Sequence, residues 1–343
     1  MEDILASLEI HYVKSVQLIK FVDTKKKMNN KILGIGNAIV DVLAKVDDNF
    51  LTKKNLVKGS MKLINKSEFE DLKKNIKIEK IVAGGSVANT MAGIAYLKGN
   101  PSFIGKINSD DFGEIYKKSL EDINVNFPYI KKNESLPTGA SIILITPDSE
   151  RTMCTYLGIS SHLSNSDINA KNIKDHALIF LEGYLWDKGI SEKMFKHSIN
   201  IAKENKVKVA MSLSDIFCVT RHKQDFYNLL LNDLDILIGN ENEIKELTDK
   251  KNLLDSINQL KQFNKLIIIT RSDKGSLAIS NNNEVTECQS VKTNKLLDLT
   301  GAGDLFAAGF LKEYMDKSDI KKCLSKGSVL ASQIIQRIGA RLE

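Results

Sequence analysis

The 343-residue sequence has few of the residues on which several function classes depend. Its cysteines, Cys154, Cys218, Cys288 and Cys323, stand 64, 70 and 35 residues apart. That spacing suits neither a zinc knuckle nor a CxxC redox pair, and thiols scattered in this way point to a reduced, cytoplasmic protein. The five histidines form no HExxH pattern. No apolar stretch approaches the ~18 uninterrupted residues of a membrane-spanning helix, so no membrane partner is expected. Arginine is scarcer still, 5 against 44 lysines, within 49 basic and 43 acidic residues for a net +6. Nothing concentrates that charge. It reads as coding bias of the source genome, with no nucleic acid partner implied. The scarcity makes Arg151, Arg221, Arg271, Arg337 and Arg341 individually informative. At 42% hydrophobic, the chain is too apolar to be disordered and long enough for a sizeable core.

What is present is an alternation of short apolar runs with helical patterns. Strands are expected at Ile32–Ile35, Leu178–Glu182, Val207–Leu213, Asp235–Ile238 and Leu266–Thr270. Helices are expected at Ser191–Glu204, Asn242–Thr248 and Leu253–Phe263. Runs such as Leu266-Ile-Ile-Ile269 suit strands covered on both faces, hence a three-layer α/β/α fold around a mostly parallel sheet. Two segments, about 37–64 and 126–157, break the rhythm and are expected to form a small β-rich lid. Within the second, Pro147-Asp148-Ser149 joins two alternating runs into a hairpin. Residues 1–30 are expected to be an N-terminal extension, not native or disordered, ahead of one domain at 31–343. No repeat or low-complexity linker interrupts that domain.

The strongest chemical signal is Asp298-Leu-Thr-Gly-Ala-Gly-Asp304, followed by the apolar run Leu305–Leu311. Small residues at 301–303 let backbone approach a ligand, and a helix starting near Gly303 would present unpaired N–H groups to an anion. Asp304 in that first turn could hold a reacting hydroxyl while the amides hold a phosphoryl group. Taken alone, Gly301–Gly303 could equally be a tight turn with Asp304 as a helix cap. Gly34-Ile-Gly36 could open a dinucleotide fingerprint, but Ile39 stands where that pattern needs its third glycine.

The seven residues 298–304 resemble the signature of the ribokinase-like, or PfkB, family of carbohydrate and nucleoside kinases, and the resemblance runs from Ile32 to Leu342. It implies Asp304 as catalytic base and the Gly301, Ala302 and Gly303 amides as anion hole. Gly36-Asn37-Ala-Ile-Val-Asp41 is similar to the family's first substrate motif, which implies Asp41 as a clamp on vicinal hydroxyls with Asn37 beside it. Gly84-Gly85-Ser86-Val-Ala-Asn89 looks like another family signature and implies that Gly84, Gly85 and Asn89 meet the substrate. Asn240-Glu-Asn-Glu243 resembles the NxxE motif, implying magnesium held by Asn240 and Glu243 through water. Thr270-Arg-Ser-Asp-Lys-Gly275 fits the family's nucleotide loop, with Thr270, Ser272 and Gly275 toward ATP. Arg151 corresponds to a lid arginine that reaches the phosphates on closure. The terminal segment Gln336–Arg341, with Asp298 and Thr300, implies a potassium site built from carbonyls.

Residues 181–187 and 211–218 look most like the bacterial adenosine kinase branch. The resemblance therefore implies ATP-dependent phosphorylation of adenosine at O5′ by a monomer or homodimer. The alternatives are a kinase for a free sugar such as ribose or fructose, and a non-catalytic nucleoside-binding protein on the same scaffold. Met61, Met153, Tyr156 and Leu157 would face the base, or simply pack the lid.

Overall fold

The computed structural model describes residues 30–129, 133–148, 150–187, 189–293 and 295–342, without the side chains of 187 and 189–191. Among the described residues thirteen strands are formed: β1 (Ile32–Ile35), β2 (Ile39–Lys45), β3 (Met61–Leu63), β4 (Ile78–Ala83), β5 (Pro101–Ile104), β6 (Gly139–Ile145), β7 (Arg151–Tyr156), β8 (Leu178–Glu182), β9 (Lys208–Ser212), β10 (Ile236–Asn240), β11 (Leu266–Thr270), β12 (Ser276–Ile279) and β13 (Val285–Cys288). Eight make the main sheet, in the order β13-β12-β11-β10-β9-β8-β1-β5. From β5 to β11 every pairing is parallel; β12 and β13 add an antiparallel edge.

Side-chain alternation explains why the central strands are apolar throughout. Leu266 and Ile268 enter one core, Ile267 and Ile269 the other. The first core is closed by helices Ser86–Tyr96, Asp111–Glu121, Ala302–Met315 and Ile320–Ile334. The second is closed by Gly189–Glu204, Ile216–Asn232, Glu241–Thr248 and Leu253–Leu260. Each fully buried Leu or Ile contributes roughly 1.5–3 kcal/mol, so these two layers hold the fold. The expected three-layer α/β/α architecture is the one observed.

A second sheet, ordered β3-β7-β6-β2-β4, covers the expected lid ranges and adds one strand outside them, β4. The expected hairpin is there: β6 and β7 pair antiparallel, with Ile145 opposite Arg151. Val40, Val42, Ile142, Leu144 and Cys154 turn one face of this sheet into the first core. Residues of opposite parity, including Asp41, Ser141 and Thr155, occupy the other face. Among the described residues no helix is long and apolar enough to cross a membrane. Residues 1–29, the bulk of the expected extension, lie outside the described residues.

Candidate active site

The site gathers where the parallel strands end at their carboxyl termini, where open α/β sheets bind ligands. Asn37 follows β1, Glu182 ends β8, Asn240 ends β10 and Thr270 ends β11, with Asn240 and Thr270 directly paired. The Ser86–Tyr96 and Ala302–Met315 helices start at the same place. Asp304, in the first turn of the latter, accepts hydrogen bonds from Ser86 Oγ (2.7 Å) and Asn89 Nδ2 (3.0 Å). These contacts join segments 218 and 215 residues apart in the chain.

Gly301 caps the Ala302–Met315 helix with φ +79° and no side-chain hydrogen bond. A Cβ on Gly301 would meet Ala340 at 2.8 Å, whereas one on Gly303 would meet nothing within 4 Å. Gly303 therefore opens onto free space at an uncapped helix start, where amide dipoles favour an anion. The Ala302 amide already donates to the Leu299 carbonyl (3.2 Å), so anion binding by that group exchanges a turn hydrogen bond.

Ahead of the Ser86–Tyr96 helix, Gly84 and Gly85 are required by close approach. A Cβ on Gly84 would lie 2.3 Å from Asp41 Oδ2, and Gly85 adopts φ +90° with the Asn37 carbonyl 2.4 Å from its Cβ position. Asn37 is held by Glu182, whose Oε1 accepts from both the Asn37 backbone N–H (2.8 Å) and Nδ2 (3.0 Å). Glu182 Oε2 accepts from Val87 N–H (3.1 Å), in the first turn of the Ser86–Tyr96 helix.

Burial sets the electrostatics. Desolvation pushes the Asp304 carboxyl up to about 6, against the hydrogen bonds from Ser86 and Asn89 and the charge of Arg341. Desolvation likewise raises Asp41 to about 7, with Arg341 and Arg151 opposing the rise and Asp304 adding to it. Glu182 is raised to about 7 by burial, its amide partners opposing. Acidic groups crowded in a cleft with raised values are what a proton-accepting site needs.

Arg151 projects from the start of β7 onto Asp298, with its Nη2 against Asp298 Oδ2. Asp298 also accepts from the amides of Thr300 (3.0 Å) and Gly339 (2.7 Å), so its carboxylate knits the 298–304 loop to the C-terminal segment. Arg151 and the 298–304 loop are thus brought together.

At the other end, Asn240 and Glu243 form a reciprocal capping box. Asn240 Oδ1 accepts from the amides of Asn242 and Glu243 (both 2.9 Å). Glu243 accepts from Asn240 N–H (2.9 Å) and Nδ2 (2.5 Å). Burial raises Glu243 to about 7. Among the described residues no cluster of three candidate metal ligands occurs. One buried carboxylate, already bonded to its neighbour, fits magnesium contacted through water and not a cage built by the protein. Gly275, at φ +83°, closes the β11–β12 turn by accepting from Arg271 N–H (2.8 Å) and donating to the Ser272 carbonyl (3.1 Å). Ser272 stands exposed in that turn.

Four contributors had no role assigned from sequence: Ser86, Tyr116, Glu182 and Arg341. Tyr116 Oη and Arg341 Nη2 both donate to the Gly84 carbonyl (3.2 and 3.4 Å). The scarcity of arginine was a usable signal for Arg341. A lone carboxylate closing the apolar run Leu178–Glu182 was one for Glu182.

With this geometry in view, the chain matches the pfkB family carbohydrate kinase description over residues 52–343. It belongs to that family. The adenosine kinase from Sinorhizobium meliloti is 34% identical, superposes with a TM-score of 0.86, and is matched over 91% of this chain and 95% of its own. Adenosine kinase 2 from Arabidopsis thaliana is 26% identical over 90% of this chain and 94% of its own length. The 5-dehydro-2-deoxygluconokinase of Listeria monocytogenes is also similar, 26% identical over 74% of this chain and 81% of its length. The protein is a phosphotransferase acting on a hydroxyl group.

Proposed function

We propose that this kinase transfers the γ-phosphoryl group of ATP to O5′ of adenosine, giving AMP and ADP. The observation that carries the reading is Asp304, with its carboxyl near pH 6, in the first turn of a helix whose start is left uncapped beside open space at Gly303. Asp304 takes the proton of O5′–H as the new O5′–P bond forms and the bond from phosphorus to the ADP oxygen breaks. The Gly301, Ala302 and Gly303 amides, with Arg151 once it leaves Asp298, neutralise the equatorial oxygens. Asn240 and Glu243 would hold magnesium through water, and the ion would supply charge neutralisation of the phosphates. Thr270, Ser272 and Gly275 border the nucleotide. A potassium ion would be held by the carbonyls of Asp298 and Thr300.

The acceptor preference is supported by the lid face that carries Asp41. Asp41, Ser141 and Thr155 lie opposite one another across β2, β6 and β7, and Ser141 Oγ and Thr155 Oγ1 share a hydrogen bond (2.8 Å). The next row on the same face, two residues along, runs from Lys80 on the β4 edge through Leu43, Ile143, Met153 and Met61, apolar from β2 to β3. A carboxylate for a ribose diol beside an apolar row for a base suits a nucleoside. Asn37, Asn89 and the Gly84-Gly85 turn complete the ribose side.

A free-sugar kinase is the second reading, supported by the likeness to the Listeria dehydrogluconokinase. ATP consumption measured across adenosine, inosine, guanosine, cytidine, ribose and fructose separates the two. The proposal expects adenosine to give the highest kcat/KM. Turnover of free sugars with none of any nucleoside overturns it.

A further inference from the structure

Arginine has only donors, so what it touches is forced to present acceptors. Arg341 Nε donates to Asn89 Oδ1 (3.0 Å), Nη1 to Ser119 Oγ (3.1 Å) and Nη2 to the Gly84 carbonyl (3.4 Å). With the Asn89 oxygen turned to Arg341, its amide nitrogen is left to donate to Asp304 Oδ2 (3.0 Å). The reversed amide would set oxygen against the carboxylate and N–H against the guanidinium, two repulsive contacts. One side chain 252 residues away in the chain thereby decides which way Asn89 points.

We propose that Arg341 is a positioning residue for the phosphotransfer: it locks the Asn89 amide toward Asp304 and holds its own positive charge within reach of both the Asp304 and Asp41 carboxylates. The proposal rests on the reading of Asp304 as the base.

The surroundings leave Arg341 as the balancing charge. Asp304 and Asp41 each lower their burial cost through it, and Tyr116 is buried, neutral and pushed well up from its usual range. Glu182 and Tyr184 also feel the Asp304 charge, both pushed up by burial, so neither offsets it with positive charge. Arg151 acts on Asp41 from the lid but is committed to Asp298. The anchoring of the guanidinium at Ser119 and Gly84 ties the C-terminal segment to the substrate turn, so its position is fixed before any ligand arrives.

The full chain with Arg341→Gln and Arg341→Lys tests this by two readouts. In the substrate-free protein, the carbon-13 carboxyl resonance of Asp304 is followed against pH. Its midpoint is expected to move to higher pH in Arg341→Gln and to stay near wild type in Arg341→Lys, which keeps the charge. In steady-state kinetics Arg341→Gln is expected to lose about 10-fold in kcat at pH 7, with part recovered at higher pH and the KM for ATP unchanged. Arg341→Lys is expected to lose less and to show no pH shift because it keeps the charge, its residual loss arising because an ammonium cannot span all three acceptors. An unmoved Asp304 midpoint with wild-type kcat in Arg341→Gln overturns the proposal. Should that variant not fold, a moved midpoint with unchanged kcat in Arg341→Lys overturns it instead. The carboxyl titration needs no substrate, so it decides the matter even if wild type phosphorylates no nucleoside or sugar, a result that sinks only the functional reading.

Discussion

Two helix starts at the same edge of the sheet are built in opposite ways. Helix Glu241–Thr248 is closed by its own residues, Asn240 and Glu243 bonding each other's amides across four positions. Helix Ala302–Met315 begins on a left-handed glycine with no side-chain cap, an open flank at Gly303 and an aspartate tied only to distant side chains. A capped start satisfies its donors and stabilises the fold. An uncapped start keeps donors for a ligand and accepts a local stability cost. The contrast separates a helix start satisfied by its own side chains from one whose amides stay open to a ligand.

The sharpest way to break this comparison is Asp304→Asn. The isosteric amide can still accept from Ser86 or Asn89, so folding is expected to persist in circular dichroism. Turnover is expected to fall about 10²-fold or more, the range lost with a general base. Near-normal turnover would remove Asp304 from the chemistry.

Gly303→Ala probes the open flank. Its φ is not left-handed and its Cβ meets nothing, so thermal melting should show stability unchanged or raised by up to about 1 kcal/mol. The added methyl intrudes on the anion's side of the turn, and about a 10-fold loss in kcat/KM for ATP is expected. A variant both stable and fully active would show that the flank faces no phosphate.

Acidity gives the next effect. A base with its carboxyl near pH 6 must be ionised to act, so kcat/KM should rise with pH through about 6 and level off above it. Stability should run the other way. Asp41, Glu182 and Glu243 have folded values raised to about 7, so the folded state binds more protons than the unfolded between roughly pH 4 and 7. Their contribution is complete below their unfolded values and is lost as pH climbs through 7. Urea unfolding of the ligand-free protein at pH 5.5 and 8 should show this decline. Glu182→Gln should flatten it.

The smallest effect on acceptor binding belongs to the capped start. Asn240→Ala is expected to cost about 1 kcal/mol in unfolding free energy and to leave the KM for the acceptor unaltered. A changed acceptor KM would show that the two helix starts are not independent.

Local pattern made much of this legible in the sequence. Leu266–Thr270 and Leu178–Glu182 were readable as strands because both faces are buried, and residues 298–304 hold a recognisable signature within seven positions. The β4 strand was not readable. Ile78–Ala83 lies at the lid's edge, half exposed and pairing across a bulge at Leu43 and Ala44, so its period is weak. Glu182 and Arg341 were missed for another reason. Their partners lie 95 and 252 residues away, and no spacing rule links residues that only the fold brings together. The capping box at Asn240 shows the converse. A motif complete in four residues is legible as structure whether or not it also serves a nucleotide.

The most direct test of the central claim is phosphorus-31 NMR of wild-type protein incubated with ATP, magnesium and adenosine. The account predicts a 5′-monophosphate resonance growing in step with ADP. Phosphate on the 2′ or 3′ oxygen, inorganic phosphate in place of a nucleotide product, or unchanged ATP would contradict it.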